Sequence, residues 1–181
     1  MSNVTLFQAQ ANMRDGYLNG APGALVSGLV WLSAGAIAMR VSNQAAVYAL
    51  LLGGALIFPL GVLLAKLLGR RGGHDADNPL GRLASEGTFW MLAGIAVAFA
   101  LSTLRIEWFF PAMLLTIGGR YLTFQTIYGL RLYWVLGASL CGLGIALALV
   151  NVPPSTAALA GGFVEVLFAA LLFRRPAAAA R

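Results

Sequence analysis

The fold class of this chain is indicated by residues 132–164, LYWVLGASLCGLGIALALVNVPPSTAALAGGFV. This stretch contains no charged side chain. About 20 apolar residues in a helix cross a bilayer, so this stretch is long enough for most of two crossings. Residues 41–65 form a second run without charge. Of all 181 residues, 60% are hydrophobic and 10% are charged, whereas an average soluble domain has roughly 25% charged residues. We therefore expect an integral membrane protein.

The apolar runs predict helices rather than strands. Membrane strands are short segments that alternate apolar and polar residues, whereas these runs are continuously apolar and rich in Ala, Gly and Leu. The predicted fold class is all-α, a polytopic bundle of transmembrane helices. The six predicted spans lie at about residues 22–40, 44–68, 87–104, 108–129, 131–151 and 155–173.

The chain divides into three predicted parts. Residues 21–175 form the transmembrane domain, and residues 176–181 form a short tail. Residues 1–20 lack the apolar core of a cleaved signal peptide, so the first span is expected to act as its own insertion signal. This N-terminal segment is expected either to fray or to lie on the membrane surface as an amphipathic helix through Leu6, Phe7 and Met13.

The distribution of Lys and Arg predicts the orientation of the spans, because cytoplasmic loops carry the excess of these residues. One predicted side has only Arg40 and Arg105. The other side carries Arg14, Lys66, Arg70, Arg71, Arg82, Arg131, Arg174, Arg175 and Arg181. Both termini are therefore expected in the cytoplasm. Interfacial aromatic belts are expected at Trp108, Phe109 and Phe110 on one side and at Tyr133 and Trp134 on the other.

A weak internal repeat is visible in the sequence. Trp31, Trp90 and Trp134 each lie near the start of an odd-numbered span, and each next span contains a glycine pair. These pairs are Gly53-Gly54, Gly118-Gly119 and Gly161-Gly162. Three helical hairpins would form a parallel repeat about an axis along the membrane normal. The alternatives are a 3+3 inverted repeat and glycines that only allow helices to approach closely.

Two charged residues lie deep in predicted spans, Arg120 in the fourth and Glu165 in the sixth. A lone charge at the bilayer centre costs at least about 2.5–3.5 kcal/mol, so such residues pair or face a polar cavity. Both are predicted at similar depth, which favours an ion pair. The pair could bind an anionic or zwitterionic solute, respond to protons, or only fix helix register. Burial could also leave Glu165 protonated.

These residues support the leading hypothesis, a small-solute or ion transporter or channel with a polar site near mid-membrane. The expected solute contacts are Arg120, Glu165, Thr116, Thr123 and Gln125. Six short helices enclose little volume, so dimerisation or higher assembly is also expected.

The alternative hypothesis is a scaffold that does not transport. It would bind another membrane protein or anionic lipids through the basic loop after the second span. The residues expected to contact lipid head groups are Lys66, Arg70, Arg71 and Arg82.

Other classes of function have little support in the sequence. No nucleophile with a base, phosphate-binding loop or metal cluster is apparent, so no enzyme, cofactor or metal site is expected. His74 with Asp75 and Asp77 is expected to be a solvated turn. The net charge of +6 comes from residues at span ends rather than from one basic patch, which argues against binding of nucleic acid.

Several glycine, proline and tryptophan landmarks resemble a family of small multi-span bacterial inner-membrane proteins of unknown function. The landmarks are Gly16-Tyr17 to Gly23, Trp31, Gly53-Gly54 to Gly61, and Glu86-Gly87 to Trp90. The resemblance implies a bacterial inner-membrane protein of about this length, and it implies no substrate, cofactor or catalytic residue.

Overall fold

The computed structural model describes residues 5–176, and within them every regular element is helical. The seven α-helices are α1 Leu6–Tyr17, α2 Ala21–Arg40, α3 Asn43–Leu67, α4 Leu80–Leu104, α5 Phe109–Tyr128, α6 Leu132–Val150 and α7 Pro154–Phe173. Single turns of 3₁₀ helix at Leu18–Gly20 and Ile106–Trp108 precede α2 and α5. The prediction of an all-α fold is confirmed.

Capping residues explain where these helices begin and end. The Ser42 hydroxyl accepts a hydrogen bond from the Ala45 amide at 3.1 Å and caps α3. Gly129, with a φ of 66°, ends α5 in the left-handed conformation that glycine favours. The predicted start of α4 at residue 87 was wrong, because the Asn78 side chain accepts from the Leu80 amide at 3.0 Å and starts the helix at Leu80.

The described part of the chain has five helical segments long and apolar enough to cross a membrane. They are Leu6–Arg40, Asn43–Leu67, Leu80–Leu104, Leu132–Val150 and Pro154–Phe173. Helix α5 is not among them, because Arg120, Gln125 and its threonines lower its hydropathy. It nevertheless crosses the bundle from end to end, since Pro111 lies near Gly144 and the Tyr128 carbonyl accepts from Arg14. The chain is a multi-pass membrane protein.

The helices pack in an order that leaves α3 and α4 at the flanks. Helix α2 packs against α3 and α7, α5 packs against α4 and α6, and α7 also contacts α5 and α6. On α4, Phe89 and Trp90 are 74% and 80% exposed. Such large apolar side chains are stable on the outer surface when lipid rather than water surrounds them.

Both described ends of the chain lie at the same end of the bundle, which we call the terminal end. Asp15 forms an ion pair with Arg70 at 2.7 Å, and the Asn19 side chain donates to the Arg175 carbonyl at 3.1 Å. At the opposite end, Arg105 donates to the Asn151 side chain at 3.1 Å. The basic residues predicted to share one side therefore do so, apart from Arg181, which lies outside the described residues together with most of the 176–181 tail.

Helix α1 is docked at the terminal end rather than frayed. Leu18, Asn19 and Gly20 have positive φ values of 49°, 57° and 78°, and they turn the chain from α1 into α2. Of the three apolar residues expected to hold this helix on the membrane surface, Met13 is buried against the bundle whereas Leu6 and Phe7 are exposed, so the three do not share one contact.

The prediction of interfacial aromatic belts was wrong for three of its five residues. Phe109, Phe110 and Tyr133 are fully buried between helices rather than placed in interfacial belts. Of the three repeat tryptophans, Trp31 is buried whereas Trp90 and Trp134 are exposed. The three hairpins therefore have different surroundings at these positions, and the threefold repeat stays a prediction.

Candidate functional site

Glu165 is the most deeply buried charged residue of the described chain, with 1% of its surface exposed. It lies one turn after Gly161 and Gly162 on the face of α7 that packs against α2. A methyl group at Gly162 would lie 2.8 Å from the Leu32 amide nitrogen, so only glycine allows this approach. The Ser27 hydroxyl of α2 donates to one carboxyl oxygen of Glu165 at 2.7 Å. The other carboxyl oxygen is buried without a hydrogen-bond partner.

Three buried tyrosines lead from Glu165 toward the terminal end. The Tyr121 hydroxyl of α5 lies beside the Glu165 carboxyl group. The Tyr121 and Tyr133 rings stack with centroids 6.0 Å apart, and the Tyr133 and Tyr128 rings stack at 5.3 Å. We call Tyr121, Tyr133 and Tyr128 the tyrosine ladder.

The tyrosine ladder ends beneath α1. The Tyr133 hydroxyl donates to the Asn19 carbonyl at 2.6 Å, and Arg14 donates to the Tyr128 carbonyl at the same distance. Nearby, the Tyr17 hydroxyl and His74 Nδ1 are hydrogen-bonded at 2.9 Å. The Asn19 side-chain oxygen is buried without a partner, so unsatisfied polar groups are present at both ends of the ladder.

Toward the opposite end, the core around Glu165 is apolar. Trp31 packs edge to face against Phe110 with centroids 5.9 Å apart, and Phe109 packs against Phe110 at 5.1 Å. Leu114 is buried beside the same part of α7, close to Gly161. We call Trp31, Phe109, Phe110 and Leu114 the apolar plug. Within residues 5–176, the buried tyrosines therefore lie between Glu165 and the terminal end, and apolar side chains lie between Glu165 and the opposite end.

Arg120 lies at a separate place, the interface of α4 and α5. It donates to the Thr88 hydroxyl at 2.9 Å, and its guanidinium lies over the Phe124 ring at 5.4 Å. Its expected partner was Glu165, and the described structure contains no ion pair between them. The favoured pairing of Arg120 with Glu165 was therefore wrong.

The depth of the two residues was predicted well, but the faces of the helices were not. Each lies eight residues before its helix ends (128 − 120 and 173 − 165), or about 12 Å along the axis. Consecutive helical residues point about 100° apart. Tyr121 is the residue of α5 that is directed at Glu165, so Arg120 is directed at α4.

Two of the other expected solute contacts, Thr116 and Thr123, lie near Arg120 rather than near Glu165. Thr116 lies against Gly94 of α4 and donates to its own helix at the Ala112 carbonyl. Thr123 donates to the Arg120 carbonyl at 2.7 Å. Gln125 is half-buried. The sequence therefore predicted one polar site where the structure has two.

The basic loop residues differ in their pairing. Arg70 is bound to half-buried Asp15, and Arg71 pairs with exposed Asp75 at 2.9 Å. Lys66 and Arg82 are exposed, and no ion pair within residues 5–176 includes them. Arg82 lines an open groove with His74, Asp77 and Glu86. Two of the four predicted lipid contacts are thus engaged within the protein.

Sequence reasoning missed Ser27, Thr88 and the tyrosine ladder. Ser27 precedes Gly28, and such small polar neighbours of glycine mark close helix contacts in membranes. Tyr121 and Tyr128 share one face of α5 at a spacing of seven residues. Among the described residues, no group of three or more His, Cys, Asp or Glu could hold a metal ion.

Comparisons with known proteins bear on the family alone. No curated protein and no solved structure matches this chain. The family model of DUF7010, described as a family of unknown function, matches residues 6–175. This match covers nearly the whole chain and confirms the resemblance to a family of unknown function. The chain therefore belongs to the family DUF7010.

Proposed function

We propose that this protein is a membrane transporter or channel for a small solute or ion, with Glu165 as its binding site. The observation that supports the proposal is the state of the Glu165 carboxyl group, which is fully buried in α7 and has one oxygen without a partner. If Glu165 only stabilised the fold, we would expect both of its carboxyl oxygens to have partners, because an unsatisfied buried polar atom costs about 1–3 kcal/mol. Binding of a solute or ion by this oxygen explains why the sequence keeps a buried polar atom that destabilises the fold.

The two polar places suggest different roles. Glu165 is enclosed by α2, α5 and α7, as a site within a transport path would be. Arg120 is at the margin of the bundle, with one hydrogen bond to Thr88 and no carboxylate partner among the described residues. We therefore assign transport to Glu165 and expect Arg120, Thr116, Thr123 and Gln125 to influence it less.

Flux into proteoliposomes tests this assignment. The probes are radiolabelled sodium, rubidium, methylammonium and glycine, together with protons detected by an internal dye. We expect at least one probe to enter faster than it enters protein-free liposomes, and we expect Glu165→Gln to remove that difference. Glu86→Gln is the matched control, because Glu86 is exposed in the second turn of α4. Equal flux through the wild type and Glu165→Gln would refute the assignment.

A second candidate function is a scaffold that binds anionic lipid. Its support is the exposure of Lys66 and Arg82 at the terminal end. Lipid retained through detergent exchange, and lost in the Lys66→Ala/Arg82→Ala variant but kept in Arg71→Ala, would favour it. Assembly of several copies, the cytoplasmic placement of the termini and residence in a bacterial inner membrane stay predictions of the sequence.

A further inference from the structure

We infer that the ion bound by Glu165 is a proton, which reaches the carboxylate from the terminal end of the bundle along the tyrosine ladder. The inference rests on the proposed transport function and names its substrate. It is carried by the juxtaposition of a buried carboxyl group, a line of phenol hydroxyls and an imidazole at the end of that line.

The surroundings of Glu165 fit a proton better than a metal cation. The polar groups that face it are the Ser27 hydroxyl from α2 and the Tyr121 hydroxyl from α5. Among residues 5–176, no second charged side chain faces the carboxyl group. A hard cation such as Ca²⁺ needs about six to eight oxygen ligands. A proton needs one carboxylate oxygen, and it forms one O–H bond there while the carboxylate becomes a neutral acid.

The tyrosines of this chain are concentrated on the route. The sequence has five tyrosines, and four of them are Tyr17, Tyr121, Tyr128 and Tyr133. A phenol hydroxyl both donates and accepts a hydrogen bond, so it can pass a proton on and return to its neutral state. The fifth, Tyr48, is an exposed residue of α3.

The route begins at the terminal end of the bundle. His74 is half-buried and hydrogen-bonded to Tyr17, and imidazole is a common proton shuttle. From Tyr17 the proton passes to Tyr128, then to Tyr133, Tyr121 and Glu165, while the Asn19 carbonyl only accepts a hydrogen bond from the Tyr133 hydroxyl. The ring separations of 5.3 and 6.0 Å are bridged by rotation of the hydroxyls or by water. Each relay group gains one proton and loses one, and no electron is transferred.

The apolar plug makes this access one-sided. Trp31, Phe110 and Leu114 are buried and carry no group that relays a proton to the opposite end. Complete transport therefore requires the plug to separate, and the described conformation corresponds to a carboxylate that exchanges protons with the terminal end.

Proton flux tests the inference in liposomes that contain the full chain and a trapped pH-sensitive dye. A potassium gradient with valinomycin drives protons inward, and the reversed gradient drives them outward. We expect the wild type to move protons at least about tenfold faster than protein-free liposomes, because a positioned acid or base accelerates proton transfer by this order or more. Glu165→Gln and Tyr133→Phe should fall to the protein-free rate, whereas the matched control Tyr48→Phe should keep the wild-type rate.

Each outcome has a separate meaning. A wild-type proton rate equal to that of protein-free liposomes overturns the inference, and if another probe still enters in a Glu165-dependent manner, the proposed transport function stands. If no probe enters, both proposals fail. A wild-type rate in Tyr133→Phe overturns the route, and a wild-type rate in Glu165→Gln overturns the site.

Infrared difference spectra between acidic and alkaline buffer provide a second measurement that does not depend on transport. We expect a protonated carboxyl band that is absent from Glu165→Gln. Identical spectra for the two proteins would also overturn the inference.

Discussion

Replacing Gly118 by alanine is expected to destabilise the bundle, whereas the same change at the next residue is not. A methyl group at Gly118 would lie 2.8 Å from the Gly137 carbonyl oxygen and 2.9 Å from the Cys141 amide nitrogen of α6. Ordinary contact begins at 3.4 Å, so the α5–α6 spacing must grow by 3.4 − 2.8 = 0.6 Å. A methyl group at Gly119 meets no atom within 4 Å. The two positions thus share a helix but differ in packing.

The expected difference in stability follows from this geometry. Insertion of a methyl group into a packed contact costs about 1–3 kcal/mol. Both variants gain about 1 kcal/mol because alanine favours helix more than glycine does, and this gain cancels between them. At about 2–4 °C per kcal/mol for a chain of this size, Gly118→Ala should melt about 2–12 °C below Gly119→Ala.

The single cysteine provides the assay. Cys141 is half-buried against Gly118, so a thiol-reactive dye reports when α5 and α6 separate on heating in detergent. Equal melting temperatures for the two variants, or a lower one for Gly119→Ala, would refute the packing argument.

Three further outcomes are expected from the same structure. Leu114→Ala should thin the apolar plug and raise the proton leak of liposomes above the wild-type rate; an unchanged leak would mean that the plug is not the barrier. Arg70→Ala should expose α1 to protease at least several-fold faster than Arg71→Ala, because the Arg70 ion pair is half-buried and the Arg71 pair is exposed; equal cleavage would contradict this order. Gly16→Ala should also release α1, because its methyl group would collide with the Gly73 carbonyl, and a cleavage rate like that of the wild type would show that the loop can move aside.

Continuous apolar runs were sufficient to locate the six long helices, because a helix that crosses lipid needs about 20 apolar residues in a row and few other structures produce such runs. Even the polar α5 was identified, since Arg120 is flanked by apolar residues on both sides. The start of α4 was missed because its first two turns contain the charged residues Arg82 and Glu86, so hydropathy does not mark them. The Asn78 side chain accepts a hydrogen bond from the Leu80 amide directly before these turns.

The site was predicted only in part, because the sequence does not show how each helix is rotated about its own axis. Depth follows from counting residues along a helix, so Arg120 and Glu165 were placed at matching levels. The direction of a side chain depends on which neighbour each face meets, and helices that are apolar all round give no such signal. The order of helices, with α5 between α4 and α7, separates the two charges and brings Tyr121 to Glu165.

The structure also explains two of the glycines among the family landmarks, Gly20 and Gly61. Gly20, with a φ of 78°, turns the chain into α2 and leaves space for the Tyr133 hydroxyl. A methyl group at Gly61 would lie 3.0 Å from the Gly23 α-carbon, so this pair sets the spacing of α2 and α3. Both landmarks are explained by close approach of backbones, which sequence alone shows only as glycine.

The docking of α1 has a consequence for synthesis in the cell. The Tyr128 carbonyl that binds Arg14 is 114 residues further along the chain. At 5–20 residues per second, the ribosome needs roughly 6–23 s to make that distance. The first helix to be translated is therefore without its partner while four spans are inserted. The contacts at the terminal end are completed late in biogenesis, when Arg175 is added and its carbonyl accepts the hydrogen bond from Asn19.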